Sequence, residues 1–398
     1  MKIALLRERK NPPDERVALT PQQAAEVMRA FPGTIVIVQS SPFRCFKDEE
    51  YEAAGIAVQD DVSDADILLG IKEVPSEYLL KGKTYLFFSH TIKKQPYNRN
   101  MLREVLKQRI KLVDYECLVW ENGSRILGFG RFAGIIGTYN GLRTWGQKFT
   151  LYDLEPAHEL DTYDALKKHL KLVTFPPMKI ALCGDGRVAH GSLELLRYAG
   201  FREVTREELV EESYNVPVFA HLRPEDFYAR KDGELWDKSD FYVHPEEYES
   251  TFLPYAEVTD LMINAIYWHN KIPVFFTKEN MKSQDFRIKV IADITCDIEG
   301  SIPCTVRATT IDNPVYGWHS YYEKETDPYL PNTVDIMAVG NLPCELPKDA
   351  SHEFGQSLLK YIMAPLLMSD KDNIIKRATI TENGSLTERY NYLEDYVA

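Results

Sequence analysis

The sequence predicts an α/β protein of two domains, each on a mostly parallel sheet, with an interdomain cleft between them. Three observations carry that reading. Short apolar runs alternate with helical patterns across the first part of the chain, and the same alternation resumes after residue 178. A glycine-rich helical stretch, residues 132–149, stands between the two regions. At 398 residues the chain is long enough for two domains, and its 44% hydrophobic content supplies a core for each.

In the first region the strand-like runs fall at residues 3–6, 34–38, 67–71, 84–88 and 110–113. Helical patterns lie between them, notably at residues 21–30 and 100–108. The first of these opens on Thr20-Pro21-Gln22-Gln23: a cap, a proline in the first turn and a capping-box glutamine. Strands alternating with helices pair in parallel, and helices then cover both sheet faces. Glycines 134, 137, 141 and 146 lower the helix propensity of 132–149. Close backbone packing is the expected compensation, and this helix is read as the link between domains.

The second region has strand-like runs at Lys179–Cys183 and at residues 203–204, 218–220, 261–265 and 288–292. A polar, aromatic-rich insertion occupies 221–252. Residues 351–367 turn helical, cross back to the first domain and lead into a polar tail. The expected division is 1–133 with 349–398 as the substrate domain, and 134–348 as a dinucleotide-binding domain carrying the insertion. Segment 151–176 has no role legible in its residues.

Composition removes several classes. Net charge is −13 and the isoelectric point is about 5.3, a poor match to nucleic acid or an anionic membrane. No apolar run approaches the ~20 residues of a membrane span. MKIALLRERK reads as neither a signal nor a transit peptide, so a cytoplasmic location is expected. Six cysteines, at 45, 117, 183, 296, 304 and 344, form no C-x-x-C pair. Neither a metal site nor disulfides are expected, and Cys117, Cys183 and Cys296 read as small buried hydrophobes.

The motif that proposes chemistry is KIALCGDGRVAHGSLELLRYAG, residues 179–200. A short apolar strand ends in Gly184-Asp185-Gly186, and a helical segment follows. The spacing is G-x-G-x-x-A, with Ala189 at the third site. Strand, tight turn and helix place a pyrophosphate against backbone N–H groups, so the fold is read as two Rossmann-like domains with a dinucleotide cofactor. Asp185 beside a pyrophosphate is an unfavourable charge that Arg187 can offset. No acid sits at the tip of the run ending at Val204; Thr205 and Arg206 follow, then Glu207 and Glu208. A nearby arginine accommodates a 2′-phosphate, so NADP(H) is favoured, with NAD(H) the alternative.

Ligands of open parallel sheets bind at strand carboxyl ends. In the first region those ends lead into Arg7, then Lys72, then Ser89 and His90, then Asp114 and Glu116. Each has a bland reading: a solvated loop lysine, a turn-capping histidine, a surface-paired glutamate. Together on one sheet edge they suit imine or amine chemistry, where a proton moves on nitrogen as a hydride moves on carbon. Burial and neighbouring cations lower a lysine toward working pH, and Glu116 can tune it. Arg16 has the planar fork to clamp a substrate carboxylate, against the bland reading of a solvated loop arginine. In the second region Asp293 and Asp297 are either a turn-and-cap pair or contacts to the nicotinamide ribose or a substrate amine. Asn264 has an amide suited to the cofactor.

RERKNPPDERVALTP (7–21), GIKEVP (70–75), KTYLFFSHTIKKQ (83–95), LVDYE (112–116) and GFGRFAGIIG (128–137) resemble the alanine dehydrogenase and saccharopine dehydrogenase superfamily. FFSHTIK, DKSDFYVHPEEY (237–248), INAIYW (263–268) and ITENGSLTERYNYL (380–393) resemble most the lysine–2-oxoglutarate reductase half of the bifunctional aminoadipic semialdehyde synthase. The resemblance implies an oxidoreductase that condenses L-lysine with 2-oxoglutarate and reduces the imine to saccharopine with NAD(P)H. It implies Lys72 and His90 as the acid–base pair and Glu116 as the acid tuning the lysine. It implies Arg16, Lys93, Gln95 and Asp297 as substrate contacts, and Gly184, Gly186 and Ala189 as the pyrophosphate turn. Alternatives are an NAD-dependent lysine-forming saccharopine dehydrogenase, an alanine dehydrogenase-like enzyme, or a catalytically silent nucleotide sensor. The expected partners are small molecules, with a homo-oligomer contact as a second use for the glycine-rich helix.

Overall fold

The computed structural model of the protein describes every residue except Pro12 and Pro13. The chain divides into two units, Met1–Phe129 with Pro347–Ala398, and Gly130–Leu346. The first unit begins with β1 (Lys2–Leu5), β2 (Ile35–Gln39), β3 (Ala57–Gln59), β4 (Ile67–Leu69), β5 (Thr84–Phe87) and β6 (Lys111–Asp114). The second unit contributes β7 (Lys179–Cys183), β8 (Arg202–Val204), β9 (Val218–Leu222), β10 (Tyr228–Arg230) and β11 (Tyr248–Ser250). It continues with β12 (Leu261–Asn264), β13 (Val290–Asp293), β14 (Val315–His319), β15 (Lys324–Thr326) and β16 (Val334–Met337). The chain then returns to the first unit with β17 (Thr379–Glu382) and β18 (Ser385–Leu386).

The first sheet runs β18-β17-β6-β5-β4-β1-β2-β3, with β1 to β6 all parallel. Four neighbouring strands, β6, β5, β4 and β1, therefore open their carboxyl ends along one edge. Ile3, Leu68, Leu86 and Leu112 are fully buried within it, each contributing roughly 1.5–3 kcal/mol relative to exposure. Burial on both faces is why these strands read as continuous apolar runs. The expected polar tail is instead partly strand: β17 pairs antiparallel with β6, and β18 with β17. Thr379 and Thr381 are buried there and hide the strand from a hydropathy reading.

Thr20 caps the helix Pro21–Ala30 as the sequence predicts. Gln23 N–H donates to Thr20 Oγ1 (3.3 Å), and Thr20 N–H donates to Gln23 Oε1 (3.0 Å). Thr20→Ala is expected to cost about 1 kcal/mol, read as a lower urea midpoint with unchanged slope.

The second sheet runs β15-β14-β16-β13-β12-β7-β9-β8. From β8 to β16 the strands are parallel, and β14 and β15 close the other edge as an antiparallel pair. The insertion is ordered, with β10 and β11 forming a ribbon and a short helix, Lys238–Val243, between them. The helix expected as a domain link, Gly130–Phe149, lies wholly in the second unit. The reason is its glycines. A Cβ on Gly134 would collide with Val188 O, and Ser192 Oγ donates to Gly134 O (3.2 Å), so the helix lies backbone to backbone against Arg187–Tyr198. Segment 151–176 contains the helix Tyr163–Lys171, tied to that packing by Tyr163 OH donating to Glu194 (2.8 Å).

Candidate functional site

Each strand end on the first sheet's open edge delivers a charged or polar group. The turn after β4 carries Lys72 and Glu73. Its backbone is held by Glu8, which follows β1: Ile71 N–H donates to Glu8 Oε1 (2.6 Å) and Lys72 N–H to Oε2 (2.9 Å). Burial, and next the charge of Asp14, push Glu8 up to about 8, against those two donors. Burial lowers the Lys72 ammonium from its ordinary value, and the Arg16 cation lowers it further; Asp14 and Glu73 oppose this. Lys10 also lowers it. Lys10→Met removes a charge that disfavours protonated Lys72, so the Lys72 ammonium is expected to persist to higher pH. A ¹⁵N NMR titration of the lysine side chains checks this; a titration moving to lower pH contradicts it.

His90 follows β5 in the left-handed region, φ 52°. Its Nδ1 lies 2.6 Å from Glu73 Oε1, and Lys10 Nζ lies 3.0 Å from Glu73 Oε2. Burial raises Glu73, but the hydrogen bond and charge of His90 outweigh it and hold the carboxyl at about 2. Asn98 braces the segment, donating to Ser89 O (2.9 Å), and Phe88 stacks on the imidazole (6.4 Å, 18°). With Nδ1 committed to Glu73, Nε2 is the ring nitrogen left for proton exchange.

Asp114 ends β6 and holds two turns at once. It accepts from Ser89 N–H (3.1 Å) and from Glu116 N–H (2.7 Å). Burial raises it to about 6, against the Ser89 hydrogen bond. Glu116 Oε1 is paired with Arg125, and Lys93 Nζ lies 3.8 Å from it. Its buried Oε2 has no hydrogen-bond partner among the described residues. The carboxylates that act most on Lys72 are Asp14 and Glu73, while Glu116 sits with the Lys93 cation. Gln95 is half-buried on the same segment as Lys93.

Arg16 is buried rather than solvated. It forms a two-pronged pair with Asp14 (2.9 and 2.6 Å) and lies over the Phe129 ring (4.1 Å). Arg7 instead turns to Asp60 (2.7 Å). Sequence reasoning missed Glu8, Asp14 and Glu73. Glu73 adjoins Lys72 and could have been proposed; Glu8 meets it only through a parallel crossover.

In the second unit the glycine turn follows β7. Gly184 has φ +132°, and a Cβ there would fall 2.5 Å from Ala265 O. Gly186 is the N-cap of Arg187–Tyr198, has no side-chain cap bond, and has open space where its Cβ would stand. Ala189 is buried and Arg187 exposed on the first helical turn. A helix N-terminus with no side-chain cap at an open glycine turn fits a phosphate, so these residues fit a dinucleotide. Asn264 and Asp293 end β12 and β13 in register. Asn264 Nδ2 donates to Asp293 Oδ1 (2.8 Å), and its buried Oδ1 has no partner among the described residues. Burial raises Asp293 to about 6, opposed by Thr305. Asp297 is exposed four residues beyond β13. Thr205 caps the helix Arg206–Glu211 through Glu208, and Arg206 is held between Glu207 and Asp226, both at 2.6 Å. Cys117 and Cys183 are buried and Cys296 half-buried. No helix among the described residues is long and apolar enough to cross a membrane.

Comparison with known proteins adds to this geometry. Residues 4–136 match the family model for the alanine dehydrogenase/PNT N-terminal domain. The mouse alpha-aminoadipic semialdehyde synthase, mitochondrial, is 31% identical over 445 residues, 98% of this chain and 47% of that protein. The Neurospora crassa saccharopine dehydrogenase [NAD(+), L-lysine-forming] is 27% identical, across 88% of this chain and 87% of its own. A solved L-alanine dehydrogenase covers 100% of both chains with a TM-score of 0.67 at 16% identity, which shows the shared fold. This chain spans about half the length of the mouse protein.

Proposed function

We propose that this chain, which is similar to the alanine dehydrogenase/PNT N-terminal domain over residues 4–136 and to the mouse alpha-aminoadipic semialdehyde synthase along 98% of its length, is an oxidoreductase joining L-lysine to 2-oxoglutarate to give saccharopine. The observation that carries the reading is the strand-end cluster itself: Lys72 shifted toward neutrality beside a Glu73–His90 pair. Bound NAD(P)H supplies a hydride, with NADP(H) favoured and NAD(H) the alternative.

The first unit holds the acid–base work. Lys72 accepts a proton from the substrate ammonium, freeing the ε-amine to attack the 2-oxo carbon. A C–N bond forms as the carbonyl π bond opens, and one amine proton passes to the oxygen to give the carbinolamine. The C–O bond then breaks, releasing water, once His90 has given that oxygen a second proton. Glu73 keeps the imidazole oriented through its Nδ1. The resulting imine carbon accepts the hydride, and the nitrogen keeps its proton. Glu8 holds the Lys72 turn in place through two backbone donors. Arg16, Lys93 and Gln95 receive the substrate carboxylates, and Asp297 the amine of the amino-acid end. In the second unit Gly184, Gly186 and Ala189 seat the pyrophosphate, with Asn264 and Asp293 at the nicotinamide end.

The test is loss of reduced-nicotinamide absorbance with purified protein. Oxidation that needs lysine and 2-oxoglutarate together supports the reading. Oxidation with an oxo acid and ammonia moves the chain to the alanine dehydrogenase activity. Nucleotide binding without turnover favours the sensor.

A further inference from the structure

Which strand tip reads the adenosine ribose decides between NADH and NADPH. In dinucleotide-binding sheets that tip belongs to the strand beside the one carrying the glycine turn. Chain order would give β8 this place. The sheet gives it to β9, which pairs with β7 from Lys179↔Val218 to Cys183↔Leu222. β8 pairs only with β9, and it ends at Val204 opposite Ala220. Thr205 and Arg206 thus start one strand further out, about 4.8 Å, and two residues, roughly 7 Å, short of the β9 tip.

The β9 tip is fastened to the glycine turn. Gly184 N–H donates to Leu222 O (2.9 Å), and His221 Nε2 lies 2.6 Å from Gly184 O. The residue leaving that tip is Arg223. Its side chain is 56% exposed, and its guanidinium lies 3.8 Å from Asp185 in the turn. Lys238, brought in by the insertion, lies 3.7 Å from the same carboxylate. A cavity of about 460 Å³ opens beside Arg223, with Arg206, His221 and five carboxylates also in its wall. Arg206 is closed between two carboxylates, whereas Arg223 and Lys238 share one distant carboxylate.

We propose that Arg223, with Lys238 beside it, recognises the 2′-phosphate of NADP(H), and that Arg206 does not. This rests on the dinucleotide reading given above. A phosphate dianion offers these cations more charge and more acceptors than Asp185 does, while a 2′-hydroxyl offers neither. The insertion thereby acquires a function: it delivers the second cation.

The test is binding alone. NADPH and NADH are titrated by nicotinamide fluorescence, and 2′,5′-ADP and 5′-AMP by calorimetry, on the intact protein and on Arg223→Ala, Lys238→Met and Arg206→Ala. Arg223→Ala is expected to weaken NADPH and 2′,5′-ADP at least about tenfold while changing NADH and 5′-AMP by less than about threefold. Lys238→Met should show a smaller loss of the same selectivity. Arg206→Ala should leave the NADPH-to-NADH ratio unchanged. Equal weakening of both dinucleotides by Arg223→Ala overturns the proposal, as does a selective loss on Arg206→Ala. An intact protein that binds NADH but does not prefer NADPH also overturns it and leaves the dinucleotide reading standing. Failure to bind either nucleotide removes both.

Discussion

Lys72→Met is expected to lower turnover by about 10²–10⁴ while dinucleotide affinity stays within about twofold. Methionine keeps the length and apolar stem of lysine and removes only the amine. The structures around it are held by contacts of their own: Arg16 pairs with Asp14, and His90 with Glu73. The turn is held by Glu8 through backbone N–H groups, which methionine retains. What disappears is a proton acceptor whose ammonium form is disfavoured by burial and by Arg16. Steady-state rates and a nucleotide titration on one preparation separate the two quantities. Undiminished turnover would remove Lys72 from the chemistry. Equal loss of turnover and nucleotide affinity would mean a general structural defect instead.

Gly184→Ala carries the second large effect, a loss of dinucleotide affinity of more than tenfold together with a lower melting temperature. The residue sits at φ +132°, where an L side chain is strained, and the new Cβ would stand 2.5 Å from Ala265 O. Strain and overpacking together cost roughly 2–5 kcal/mol, shared between the fold and the turn. Relief requires the turn to shift away from the tip of β12, which moves the N-terminal N–H groups of the following helix. A circular dichroism melt and an NADPH titration below the transition measure the two parts. Unchanged affinity would contradict the placement of the pyrophosphate on this turn.

Much of this was legible in the residues because parallel sheets simplify the reading. Strands buried on both faces are continuous apolar runs, so β1, β4, β5 and β6 announce themselves, and the polar residues after them fall on one edge. The helix around 132–149 was legible from its pattern, and its glycines correctly signalled close packing. Its place in the second unit was not legible, because only the identity of the opposing backbone, Val188 in the next Rossmann helix, decides it. β14, β15 and β17 were hidden for different reasons. β14 contains Gly317, β15 is three largely polar residues on the sheet edge, and β17 buries threonines.

The candidate site was legible by strand end and less so by partner. Glu8 reaches Lys72 across 64 positions of chain, and the charge of Asp14 acts on both of them from the loop before the first helix. Such meetings are made by crossovers, and a linear reading supplies no distance for them. The ribose-reading tip is the clearest case. Thr205 and Arg206 follow the second strand in chain order, but β9 inserts between β8 and β7.

The most direct measurement of the central claim is the mass of the product. The protein is given lysine labelled with ¹⁵N at the ε-position, unlabelled 2-oxoglutarate, and reduced nicotinamide carrying deuterium at the transferable position. The account predicts one secondary amine that joins both carbon skeletons, retains the ¹⁵N and carries a single deuterium on the former 2-oxo carbon. Deuterium found only in a product lacking the lysine skeleton, or a nucleotide that is never oxidised in the presence of both substrates, would contradict it.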